Sequence, residues 1–255
     1  MKLIDVINIA GLMMNGGEDS MELAVRKIVQ PRFITTLAPT PWSSANEHPD
    51  IALERLMGMI DTTLDAIERE FGTSHAILVG RSYGAFMALL AATRMEFRRI
   101  FRVVLLEGPL HPDVEVRPPF LLPPLRTCAV HYHARPALAR EALKHLETLG
   151  TERLIIVQGT ARDDVVPNAA QILPGRFNGR LVCLPTDIGH KSGGMKTLLP
   201  DGYRNHLFWS DAKMAMICDA IEEVRMEDAS VSRELIAQLG DGPVVDKENS
   251  QTNEY

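Results

Sequence analysis

The sequence predicts an α/β protein: a doubly wound, mostly parallel sheet of about six strands with helices on both faces. Two observations carry that prediction. Apolar, β-rich runs alternate with helical patterns through most of the chain, which is how a parallel sheet with crossover helices reads in one dimension. The chain has 255 residues, 45% hydrophobic and 24% charged, which suffices for one large core and is too ordinary for a disordered or fibrous protein.

The candidate strands in order are Leu3 to Ile9, Phe33 to Leu37, Ala76 to Gly80, Phe101 to Leu106, Leu154 to Gln158 and Leu181 to Leu184. Between the second and third, Leu53, Leu56, Met57, Ile60, Leu64, Ile67 and Phe71 recur at steps of three and four, one apolar stripe along a long helix. Ala85 to Ala92 continues the third strand as a helical run, and Trp209, Ala212, Met216, Ala220 and Val224 repeat the spacing near the end. Seven prolines between Glu107 and Pro136 interrupt the alternation and predict an irregular excursion at about 107–136, because proline breaks a regular helix. Residues 1–225 are thus read as one domain. Residues 226–255 hold seven acids against Arg233 and Lys247 and form an acidic terminal segment whose last part is expected to be disordered.

Net charge is -6, and without a basic face no nucleic-acid partner is expected. No run approaches the roughly 18 apolar residues of a membrane span, so no membrane partner is expected either. The start, Met1 to Gly11, lacks the pattern of a signal peptide. Cys128, Cys183 and Cys218 have no C-x-x-C spacing, which argues against disulfides and a zinc cage. These features lead us to expect a cytoplasmic protein with no metal and no cofactor; homo-oligomerisation is left open.

The strongest chemical signal is Gly80-Arg81-Ser82-Tyr83-Gly84 between a candidate strand and a candidate helix. A G-x-S-x-G in that context predicts a tight turn that holds a serine hydroxyl above the sheet at a helix N-terminus. Side chains at the two glycine positions would collide with the strained central residue. The bland alternative is a Gly-rich turn in which Ser82 merely caps the helix. At these residues the sequence resembles the α/β-hydrolase family, from about Met1 to Val224.

The resemblance implies an acid after a later strand and a histidine after the last. Gly159 to Pro167 looks like the acid loop, with Asp163 four residues before Pro167, and Asp187-Ile188-Gly189-His190 looks like the histidine loop. Ser82 is then the nucleophile, His190 the base and Asp163 the group that orients it, with Glu107 at the end of the fourth strand as the rival acid. Backbone N–H groups of Tyr83 and Leu12 would form the oxyanion hole, although Ala10 stands where the family has a histidine. The chain would begin at the family's third strand. Gly11, Trp42, Phe120 and Leu121 are candidates for lining the substrate site. His131 and His133 suggest two imidazoles on one side of an extended surface or lid segment, with no third ligand for a metal. His48 and His111 have no assigned role.

Topology supports the same place. If the second and third strands flank the first, the strand order reverses there, and the crevice at that reversal is where such folds bind ligands. The implied activity is hydrolysis of a carboxylic ester or thioester of a small-molecule acyl substrate through an acyl-enzyme. Peptidase and acyltransferase chemistry on the same fold, and a non-catalytic binding protein, are the alternatives.

Overall fold

The computed structural model describes residues 4–12, 31–41, 44, 46–72, 76–116, 129–149, 153–159, 166–173, 176 and 180–184. Among the described residues six strands form one sheet: β1 (Asp5–Ile9), β2 (Phe33–Leu37), β3 (Ala76–Arg81), β4 (Ile100–Leu106), β5 (Leu154–Gly159) and β6 (Arg180–Leu184). All pairings are parallel and the order is β2-β1-β3-β4-β5-β6, so the reversal falls between β1 and its two neighbours as the sequence predicts. Each observed strand agrees with its predicted run to within about two residues, because short β-rich runs bounded by turn-forming or helical segments leave little choice of boundary.

The helices are α1 (Pro49–Phe71), α2 (Tyr83–Arg94), α3 (Ala129–Leu149) and the single turn α4 (Ala169–Ile172). The apolar stripe on α1 is the buried one: Leu53, Leu56, Ile60, Leu64 and Ile67 are all fully enclosed. The helix is started by His48, whose ring nitrogen accepts from the Asp50 amide, which gives that histidine a structural role. Helix α2 is buried on every side from Tyr83 to Thr93, packed between β1, β3, β4, α1 and α3. A helix with no solvated face has no polar side to turn outward, which is why its sequence is almost wholly apolar and small.

Two expectations need correcting. The irregular excursion does not reach Pro136, because α3 begins at Ala129 and carries that proline inside it. Proline removes one rung of the helical ladder, and the apolar face of α3, with Leu138, Ala139, Ala142 and Leu146 buried on the core, holds the remaining turns. His131 and His133 accordingly stand on a helix and not on an extended surface segment: His131 is 0% exposed, whereas His133 faces solvent.

The stretch between β4 and α3 is organised by a buried cation. Arg135 donates to the carbonyls of Pro109 (3.3 Å), His111 (2.7 Å), Pro112 (3.2 Å) and Val114 (2.8 Å). His111 also accepts from the Asp113 amide at 3.2 Å, and Asn168 ties the same stretch to α4 through Glu115 and Asp113. None of the described helices is long and apolar enough to cross a membrane. The predicted helix at 209–224 and the acidic segment 226–255 lie outside the described residues.

Candidate active site

β3 carries the chain to the carboxyl edge of the sheet, and α2 carries it back. Between them stands Ser82, with φ 55° and ψ −125°. That backbone conformation is rare for an L-residue and costs on the order of 1–3 kcal/mol, so it persists only where the surroundings enforce it. The Ser82 amide donates to the Leu106 carbonyl at 2.8 Å, which ties the turn to the end of β4. Its carbonyl accepts from Ala85 at 3.1 Å and starts α2. Ser82 stands at the N-cap position of α2, but its side chain makes no capping hydrogen bond to the helix, and the residue is only partly buried.

The glycines are needed, though not against the serine itself. A Cβ on Gly80 would lie 2.5 Å from the carbonyl oxygen of Gly84 and 2.8 Å from Ala85 Cα. A Cβ on Gly84 would press on the carbonyl oxygens of Ile9 and Ala10, 2.7 Å from the latter. The crowding is therefore between the two arms of the turn, and between the turn and the exit of β1. The latter contact sets the Ile9 and Ala10 carbonyls against the first turn of α2. Leu12 is partly buried on the core, and the Ala10 amide is held by the Leu37 carbonyl at 2.8 Å.

Tyr83, the next residue, is 3% exposed. Its ring lies 5.7 Å from Phe86 and edge-on to His131 at 5.3 Å, and its hydroxyl is 2.8 Å from His131 Nδ1. Burial pushes the His131 imidazole down to about 4, helped by nearby His48 and opposed by Glu47, so it is neutral at neutral pH. Sequence reasoning missed this histidine's position. Its signal was present in the three-and-four spacing of His131, Arg135, Leu138, Ala142 and Leu146, hidden by the prolines before and within it.

Glu107, the rival acid, is completely buried at the end of β4 with φ 50°. Its carboxylate forms an ion pair with Arg81 Nε at 3.4 Å, directly before Ser82 in the chain. Asp163 and His190 follow the carboxyl ends of β5 and β6 by four and six residues. Both lie outside the described residues, as do Trp42, Phe120 and Leu121. Of the predicted site residues, Gly11, Leu12, Ser82 and Tyr83 are thus brought to one edge of the sheet. Among the described residues no group of three or more His, Cys, Asp or Glu could hold a metal ion.

No family model matches this sequence, and no curated protein matches it. Solved structures do. The peroxisomal α/β-hydrolase Lpx1 from Saccharomyces cerevisiae is similar at 11% identity, covering 97% of this chain and 88% of that one, with a TM-score of 0.57. Est1E from Butyrivibrio proteoclasticus is similar at 15% identity, covering 90% and 89%, with a TM-score of 0.55. A structure from work on the metagenome-derived lipolytic enzymes LipS and LipT is similar at 13% identity, covering 72% and 83%, with a TM-score of 0.51. A parallel sheet that reverses at β1, with a strained serine turn at that reversal, and these likenesses over most of the chain give it the α/β-hydrolase fold.

Proposed function

We propose that this protein is a serine hydrolase that cleaves a carboxylic ester or thioester through an acyl-enzyme. The observation that supports it most is the backbone of Ser82: a non-glycine residue at φ 55°, at the mouth of a buried helix and at the reversal of the sheet. Strain of that kind concentrates at functional sites. The likeness to a protein named a hydrolase and to lipolytic enzymes favours the same chemistry.

In this reading the Ser82 hydroxyl attacks the acyl carbon while His190 takes its proton, and Asp163 fixes the imidazole tautomer and stabilises its charged form. The negative charge that develops on the carbonyl oxygen is met by the N–H groups of Tyr83 and Leu12 and by the N-terminal end of α2. Collapse expels the alcohol or thiol, which receives the proton from His190. Water then repeats the sequence on the acyl-enzyme. Every role is filled by a protein side chain or amide, so the mechanism needs no cofactor.

Labelling with a fluorophosphonate, which modifies an activated serine, tests this directly. The wild type should be labelled at Ser82 and should hydrolyse p-nitrophenyl esters. Ser82→Ala should lose both while keeping its melting temperature, since one oxygen is removed. A protein that resists labelling, or an alanine variant with wild-type turnover, leaves a binding protein on the same fold as the better reading.

A further inference from the structure

The residue after the nucleophile has an unusual anchor. Tyr83 opens α2, where backbone N–H groups have no partner within the helix, and its own N–H is the oxyanion donor of the proposed reaction. Where that N–H points depends on how firmly residue 83 is held, because Ser82 before it stands in a conformation that nothing local favours. Its side chain reaches across to α3 and ends on the fully buried His131, hydroxyl to Nδ1 at 2.8 Å, with the two rings nearly perpendicular at 88°. Helix α3 is a rigid support for that contact. Arg135, one turn further on, is held by four carbonyls, and Leu138, Ala139 and Ala142 pack into the core.

Stability alone does not account for an imidazole here. The other ring nitrogen, Nε2, is buried and has no hydrogen-bond partner among the described residues. A buried polar atom left without a partner costs more than one neutral hydrogen bond returns, and an apolar side chain of similar volume would fill the same space without that cost. The Tyr83 contact is the only hydrogen bond that involves the His131 side chain among the described residues.

We propose that His131 is a positioning residue for the hydrolase reaction: through its hydrogen bond to the Tyr83 hydroxyl it fixes residue 83, and with it the amide that meets the oxyanion. This rests on the serine-hydrolase reading. The group acts on the transition state and not on substrate binding, because the oxyanion charge exists only there. The bond is the same in effect whichever partner donates.

The test is a double-mutant cycle with ester turnover and thermal unfolding measured on each protein. Tyr83→Phe, which removes one oxygen, should lower kcat about 10-fold at unchanged KM, since a small misplacement of a reacting or stabilising group costs that much or more. His131→Leu should do the same. The double variant should be no slower than either single variant, because both remove one bond, and it should melt no lower than the wild type. His131→Asn, whose amide stands where Nδ1 was, should recover part of the loss. Full turnover in Tyr83→Phe, losses that multiply in the double variant, or losses that follow melting temperature overturn the proposal while Ser82 is still labelled by the fluorophosphonate. A wild type that is not labelled at Ser82 overturns the hydrolase reading first and the positioning role with it.

Discussion

Gly84 has little freedom at the elbow. Its missing side chain lets the first turn of α2 lie against the carbonyls of Ile9 and Ala10, and an added methyl must push the two apart. Gly84→Ala should therefore cost about 1–3 kcal/mol of stability, as overpacking of a tight site does, and, on the serine-hydrolase reading, should also slow ester turnover by shifting the first turn of α2 away from the exit of β1. Denaturant unfolding beside an ester assay checks both; a variant of unchanged stability would mean that this approach has slack. The two candidate acids separate by a different contrast. On the serine-hydrolase reading, Asp163→Asn should lower turnover by roughly two to four orders of magnitude with little change in stability, because the imidazolium would lose its counter-charge and the tautomer would no longer be fixed. Glu107→Gln should act chiefly on stability, by about 1–3 kcal/mol, because it removes the charge that Arg81 faces in a buried position. If the kinetic collapse follows Glu107 and not Asp163, the roles are exchanged.

Helix α3 and the stretch before it depend on each other. Residues 109–114 make few regular backbone hydrogen bonds of their own, and Arg135 supplies donors to four of their carbonyls from a position 5% exposed. Burial pushes its guanidinium pKa down from the ordinary arginine value, with the Tyr83 hydroxyl acting the other way, yet arginine starts so high that the charge is kept. Arg135→Met should cost about 2–4 kcal/mol in urea unfolding, since several buried carbonyls lose their donor together. Arg135→Lys should recover only a part, because an ammonium cannot fork in a plane. A methionine variant as stable as the wild type would show that these carbonyls find other donors.

Across the whole molecule, His131 ties stability to acidity. Its folded-state pKa is depressed to about 4 by burial, from an ordinary value of 6.5. Between those values the unfolded chain binds the proton and the folded one does not, so stability falls as pH is lowered through that window and levels off below it. From pH 7 to 4.5 the loss from this group is about 2–3 kcal/mol. Unfolding curves at the two pH values, for the wild type and for His131→Asn, isolate it: the asparagine variant should lose less on acidification by about that amount. Equal losses would mean that the imidazole takes up its proton without leaving the core.

The sheet, the helix of the apolar stripe and the serine turn were all legible in the sequence, because each is written in local pattern: alternation for β1 to β6, a three-and-four repeat for α1, and glycines two positions on either side of Ser82. The sequence also suggested that β2 and β3 flank β1, while the order of β4, β5 and β6 beyond them came from the tertiary structure. Helix α3 was not legible, because its proline argues locally against a helix while its support comes from a core face and from Arg135 bonding to residues more than twenty positions away. The same limit hid His131. A histidine in a run of prolines reads as a surface residue until packing turns it inward, and only the meeting of α2 with α3 sets its Nδ1 against the hydroxyl of Tyr83, 48 residues earlier in the chain. Local propensity sets which segments become strands and helices; which side chains meet is decided by long-range packing, and no short stretch of sequence contains it.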